Sequence, residues 1–463
     1  MNIGRKDIMW NYGATFLKIA SSILLTPLIL KMLPSEDVGI WTVFITISIF
    51  SNLFDFGFNP SFARNVSYIF SGATSLKKSG FDIVLNKTSY DIDWGLLKGL
   101  ISAMRWLYLR ISIAHFFLVI SLGTYYIHKL LSSYSGNHMH IYIAWFLLCI
   151  TNTYNLYTLY YDSLLQGRGL VKKSKKIIVL GNLIYLLIAS ILLLLDFELI
   201  SIVFAQMFNT IIVRQMSYKT FFDTKTKTQL EISTENTTNE ILNAIYPNAI
   251  KIGITVLGSF LIQRSALIIG SLYVSLEELG AYGITIQLIS IISSLSVIYT
   301  MTYQPKIAQY RIENNLAGIK HIFVNGLFFM ILSYVLFGSG LILFGQYFFN
   351  LLDSQTSLLP PFVILIATLI AFLESNHSIA GNILLSKNEV PFFKPAIISG
   401  LATLVLLLIT MSFFSSTYMA MILAPGIVQA VYQNWKWPLE VVRELQLSRT
   451  DFSVFLRELK FKL

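Results

Sequence analysis

Apolar residues run through this chain in long blocks separated by short polar turns. About 20 apolar residues, rising ~1.5 Å each as a helix, cover the ~30 Å hydrocarbon core of a bilayer. Twelve blocks reach that length, at roughly 10–33, 38–59, 111–131, 141–161, 177–195, 197–216, 247–272, 279–302, 320–344, 359–384, 396–414 and 417–435. The pattern predicts an all-α, polytopic membrane protein with about 12 transmembrane helices. The first block is expected to be a span and not a cleaved signal peptide. It is too long, carries Lys18, and is followed by no small-residue cleavage site. Two further stretches have a helical rhythm. Trp94, Leu97, Ile101, Met104 and Tyr108 form a stripe flanked by Lys98 and Arg105, which predicts an amphipathic helix on the inner leaflet. A second basic, amphipathic stretch closes the chain at 439–463.

Composition supports the bilayer reading. Hydrophobic residues make up 55% of the chain, charged residues 13%, and the mean hydropathy is +0.66. A soluble domain carries about 25% charged residues. The single cysteine, Cys149, lies in an apolar run, and the six histidines form no HExxH or CxxC-type cluster. No GxxxxGK[ST] stretch occurs, so ATP hydrolysis by this chain is not expected. No metal or cofactor is expected either.

Lysine and arginine set the expected orientation. With the N-terminus inside, 29 of the 34 Lys/Arg fall in inner segments. Only Lys31 and Lys129 fall in outer loops, and Lys18, Lys251 and Arg264 remain within spans. The positive-inside rule then predicts both termini on the cytoplasmic side. The net charge of +10 is a topology signal and implies no nucleic-acid partner.

The chain also repeats itself. PSEDVGIW (34–41) resembles SLEELGAY (275–282), each an acidic turn entering a span that ends at a proline, PSFAR (60–64) and PKIAQ (305–309). LLQGRGLVKKSKKII (164–178) aligns with LLSKNEVPFFKPAII (384–398). The expected organisation is a six-helix bundle over 1–222, a polar cytoplasmic linker over 223–240, a second six-helix bundle over 241–435, and a cytoplasmic basic amphipathic tail over 436–463. Six spans return the chain to the same side, so the halves share an orientation and a substrate path is expected between them, in a central cavity.

The opening WNYGATFLKIASSILLTPLILKMLPSEDVGIWTVF resembles that of bacterial polysaccharide flippases, the Wzx-type O-antigen transporters of the multidrug/oligosaccharidyl-lipid/polysaccharide exporter superfamily. DFGFNPSFARNVSYIFSGA (55–73) and IQRSALIIGSLYVSLEELGAYGITIQL (262–288) resemble the O-unit flippase-like subgroup. The resemblance covers the length of the chain as a pattern of turns and spans. It implies two six-helix bundles around a cavity and movement of an oligosaccharide on a polyprenyl pyrophosphate to the outer leaflet. The product would be O-antigen or capsule precursor for polysaccharide and lipopolysaccharide biosynthesis. Membrane lipid and a polysaccharide polymerase are the partners it implies.

Charges inside the spans suggest how. A charge at the bilayer centre costs about 2.5–3.5 kcal/mol on insertion scales, unless it faces water or a partner. Lys18, Lys251 and Arg264 would neutralise a pyrophosphate, Arg264 through its planar fork. Each has an alternative reading, as an ion-pair member or, for Lys251, a snorkelling cation. Arg64 either guides the headgroup at entry or simply obeys the charge rule. Glu374 and His377, one turn apart, either bind H⁺ or Na⁺ or form a packing pair. Asp55 is a further ion-coupling candidate, with a helix-boundary role as its other reading, which Asp162 shares. Tyr154, Asn155 and Tyr157 of the fourth span suit stacking and hydrogen bonding to sugars, or interfacial anchoring.

Two other classes compete. An ion-coupled multidrug or metabolite antiporter would rely on intramembrane acids, whereas the deep charges here are mainly cationic. A membrane-embedded polymerase or glycosyltransferase would need a large outer loop. The longest, about 128–140 and 345–359, hold no paired carboxylates. The expectation is a transporter and not an enzyme.

Overall fold

A computed structural model describes residues 24–76, 81–83, 92–234, 238–387, 391–413 and 417–448. It is built from long helices, with one short antiparallel hairpin, Ala73–Leu76 against Phe81–Ile83. Nine helical segments among the described residues are long and apolar enough to cross a membrane. They account for nine of the twelve predicted blocks. Two more blocks are the helices His138–Tyr157 and Thr417–Val431, and the first block is described only from residue 24. The protein is an all-α, multi-pass membrane protein.

The chain forms two compact units, Met1–Asp37 with Val43–Leu257, and Val38–Thr42 with Gly258–Leu463. In the first, α1 (Ser35–Ser51) runs into a 3-10 turn at Asn52–Asp55. Left-handed Phe56 and Gly57 (φ 45° and 73°) then redirect the chain into α2 (Phe58–Phe70). α3 (Trp94–Leu118) follows the hairpin and continues through a π-turn at Val119–Gly123 into α4 (Thr124–Leu130). Trp145 causes close packing there: a Cβ on Gly123 would meet its ring at 2.7 Å, and its indole donates to Thr124 at 2.9 Å.

This corrects the predicted surface helix at 94–108. Its stripe is the first part of one continuous 40-residue helical segment, Trp94–Ser133. Leu97, Ile101, Met104 and Tyr108 are buried against Phe62, Val66, Tyr160 and Leu164 in the main core of the unit. Spacing identifies a face that needs covering, but a protein neighbour covers it as well as a headgroup layer does.

The fourth span is α5 (His138–Tyr157), followed after a break by α6 (Tyr160–Gly167). α7 (Val171–Leu194) and α8 (Glu198–Phe221) complete the spans of this half. The polar segment after them holds a helix, α9 (Thr224–Ile232), capped by Asp223. Arg168 donates to the Phe221 carbonyl (3.1 Å) and to Thr226 (3.0 Å), and Lys98 donates to the Ser233 carbonyl (2.9 Å). The first part of the segment expected as a polar cytoplasmic linker is thus hydrogen-bonded to the first unit. The helix α10 (Thr238–Gly270) begins in this unit too, where Ile241, Ile245 and Ala249 join the core.

The second unit continues with α11 (Leu276–Thr302), α12 (Gln304–Ile312) and α13 (Leu316–Ser333). A second π-turn at Tyr334–Gly338 leads into α14 (Ser339–Leu351). α15 (Pro361–Leu385), α16 (Phe393–Phe413), α17 (Thr417–Val431) and α18 (Gln433–Glu444) follow. Within this unit a Cβ on Gly39 would run into the Leu276 carbonyl and meet the Gly280 nitrogen at 3.3 Å, an approach that only a residue without a side chain allows. The start of the predicted tail is core: Trp437, Val441 and Leu445 are buried with Ile307, Phe323 and Ile383. Residues 449–463 lie outside the described residues.

Candidate functional site

One polar cluster of the first unit lies where α2, α3, α5, α6 and α8 meet. The 3-10 turn positions Asp55, whose carboxylate accepts from the Asn59 backbone N–H at 3.0 Å and from the Tyr108 hydroxyl at 2.5 Å. Tyr108 stacks on Tyr160, with ring centroids 6.2 Å apart, and the Tyr160 hydroxyl accepts from Arg105 Nε at 3.3 Å. One turn on, Arg214 of α8 reaches Asp162 of α6 at 2.8 Å. It also donates through Nε (3.1 Å) and Nη2 (2.7 Å) to the Asn155 side-chain oxygen. Arg214 is only 6% exposed, so its charge depends on these two partners.

Tyr154, Tyr157 and Tyr161 are half-buried beside this network. Tyr157 packs edge-on to Tyr160, and Tyr161 packs against Tyr218 and Phe222. The structure therefore brings together Asp55, Asn155, Tyr154 and Tyr157 and adds Tyr108, Arg105, Asp162 and Arg214. Sequence reasoning missed Arg214 because it counted with the inner cations. Asn155 and Asp162 stand seven residues apart, but a break separates α5 from α6 between them, so their spacing gave no signal for Arg214.

Arg64 is exposed on α2. Lys18 lies outside the described residues. Lys251 belongs to α10, and its side chain lies outside what is described. Arg264 belongs to the part of α10 in the second unit, half-buried and electrostatically close to Tyr282. Among the described residues it makes no hydrogen bond or ion pair.

A second polar cluster lies inside the second unit. His377 Nδ1 stands 3.8 Å from Glu374 Oε2, too far for a hydrogen bond. Gln429 of α17 donates to that same Oε2 at 3.0 Å. Asn434 of α18 is 7% exposed and stands within reach of both Glu374 and His377. Glu374 Oε1, His377 Nδ1, Gln429 Oε1 and both polar atoms of the Asn434 amide are buried without a hydrogen-bond partner among the described residues. Native interiors leave few such atoms. No group of three or more metal-type ligands occurs among the described residues.

Solved structures share this arrangement of helices. An inward-facing multidrug resistance MATE family transporter of the MOP superfamily superposes with a TM-score of 0.64 at 11% identity, covering 94% of each chain. The lipid II flippase MurJ, in an inward closed conformation, superposes at 0.63 with 13% identity, covering 96% of this chain and 89% of its own. The fold is that of the MATE and MurJ transporters. A MATE protein in a bent conformation agrees at a TM-score of 0.56, 11% identity and 96% coverage of this chain. Neither a family model nor a curated protein matches the chain by sequence.

Proposed function

We propose that this protein is a flippase. It moves a polyprenyl-pyrophosphate-linked oligosaccharide, an O-antigen or capsule repeat unit, across the bacterial inner membrane by alternating access. Arg264 carries the reading: a guanidinium half-buried in an apolar helix, with no hydrogen bond or ion pair among the described residues. Such a charge has its full capacity for an anion, and a guanidinium fork grips phosphate bidentately. Lys18, Lys251 and Arg64 extend the cationic path, and Asn155, Tyr154 and Tyr157 meet the sugars. The likeness to a lipid II flippase supports a lipid-linked cargo. The protein acts as a carrier and not an enzyme, alongside the polymerase that uses its product.

Surface polysaccharide in a strain lacking the native gene tests this. Arg264→Ala should insert normally, because removing a cation from a span eases insertion. It should lower glycan export at equal protein level, and Arg264→Lys should restore part of it. Full export by Arg264→Ala would sink the proposed role of the charge.

A second reading is an ion-coupled multidrug or metabolite antiporter. The unpartnered atoms around Glu374 and His377 favour H⁺ or Na⁺ binding, and the likeness to MATE transporters supports it. Drug resistance conferred by the gene, and lost with Glu374→Gln, would decide for it. The same ion site serves the flippase reading as its energy source, with Asp55 the weaker candidate because its carboxylate is already engaged.

A further inference from the structure

The acidic pair of the repeated turn has two different fates. In SLEELGAY, Ser275 and Glu278 form a reciprocal capping box at the start of α11, and both Glu277 and Glu278 are exposed. In PSEDVGIW the aligned acid is Asp37, which caps nothing and is 1% exposed. The Tyr134 hydroxyl donates to its Oδ1 at 2.6 Å. Its Oδ2 is buried with no hydrogen-bond partner among the described residues.

The surroundings oppose a negative charge. Glu36 is adjacent and accepts from the backbone N–H (3.0 Å) and hydroxyl (2.8 Å) of Ser135. Glu198, at the start of α8, pairs with His140 of α5 at 2.9 Å. Glu36 and Glu198 repel charge on Asp37, and His140 attracts it when protonated. His138 packs on the Tyr134 ring and contacts the Tyr134 carbonyl. Burial and Asp37 push the Tyr134 phenol well above its ordinary range, so it remains a donor. An ionised carboxylate with one oxygen unsatisfied, enclosed beside two others, is costly, and a single proton removes that cost.

We propose that Asp37 is a proton-binding site at the end of the first unit that the Lys/Arg pattern assigns to the outside. Its charge state sets how firmly the start of α1 holds the turn at 131–137. The neutral acid keeps the Tyr134 hydroxyl bond without a buried charge. Release of the proton to solvent leaves a carboxylate that draws water in and loosens the turn. This is independent of which cargo the protein carries.

The test uses the purified full-length protein in detergent, with no glycan present. The thermal midpoint is measured from pH 5 to 8 for the native chain, Asp37→Asn and His140→Gln. A folded acid that holds a proton the unfolded chain has released stabilises most at low pH, and that stability is lost as pH rises. The native midpoint should therefore fall with rising pH. Asp37→Asn, permanently neutral, should flatten the fall, whereas His140→Gln should keep it. Hydrogen exchange of residues 131–140, corrected for intrinsic rate, should quicken with pH in the native chain and in His140→Gln but not in Asp37→Asn. An unchanged slope in Asp37→Asn, or a slope abolished by His140→Gln alone, would overturn the proposal. So would an Asp37→Asn chain that cannot fold while Asp37→Glu can, since the ionised form would then be the one holding the turn.

Discussion

Arg214 and Asp162 lie 52 residues apart in sequence and 2.8 Å apart in space, joining α8 to α6 inside the first unit. Asn155 completes the site from α5. Removing one member of a buried pair leaves the other charge uncompensated, at a cost of about 3–5 kcal/mol. Asp162→Ala should therefore lower the thermal midpoint strongly, because it strands the enclosed Arg214 charge, and Arg214→Ala less, because the Asp162 left behind retains more contact with solvent. Arg214→Lys keeps the charge but cannot serve both partners, and should fall between the native chain and Arg214→Ala. A double-mutant cycle in thermal unfolding checks this: additive losses would mean that the pair is not coupled.

The spans were legible in the sequence because hydropathy over 20 residues is an average, insensitive to any single position. The Arg214 pair was not, because the charge rule counts an arginine at a span end the same way whether it meets water or Asp162. The stripe through Leu97 and Met104 was legible as a face, but the neighbour covering it depends on α2 and α6 packing back on α3. The same holds for Trp437 and Val441, where a basic, amphipathic sequence conceals an apolar face docked into a core. Glu374 and His377 were readable as a pair from their spacing. Gln429 and Asn434, which surround them, come from later helices that only the fold brings near.

Orientation is testable directly. In a Cys149→Ser background, cysteine at Lys225, exposed on α9, should be protected from an impermeant thiol reagent in intact cells. Cysteine at the exposed Met139 should react. The reverse pattern would invert the topology derived from the Lys/Arg distribution.

The docking of α9 should depend on pH. Hydrogen bonds from Thr226, with Arg168 nearby, hold the Asp223 carboxyl below its ordinary range. A depressed acid stabilises above its unfolded titration and loses that contribution as pH falls through the folded one. Proteolysis within 223–233 should therefore be slow at neutral pH and accelerate only under acid conditions. Asp223→Asn should remove the acid dependence and raise the neutral rate. An unaltered rate in that variant would mean that Arg168 and Lys98 hold the helix without the cap.

The last prediction concerns Glu444, the closing residue of α18. Its two carboxylate oxygens are shared between Arg311 of α12 and Lys387 just after α15, each at 2.5 Å, and Arg311 is further held by Ser386 at 2.9 Å. Glu444 and Arg311 are largely enclosed, whereas Lys387 is more open to solvent. Glu444→Ala leaves a mostly enclosed guanidinium unpaired and should cost about 2–3 kcal/mol, below the full penalty of a buried pair because some water reaches it. Lys387→Ala removes an open partner and should cost only about 0–1 kcal/mol. Trp437→Ala, which empties the core under the same helix, should cost about 3–5 kcal/mol. Thermal midpoints of the three purified variants give the order. If Lys387→Ala proves as damaging as Glu444→Ala, the lysine and not the arginine is what fastens α18.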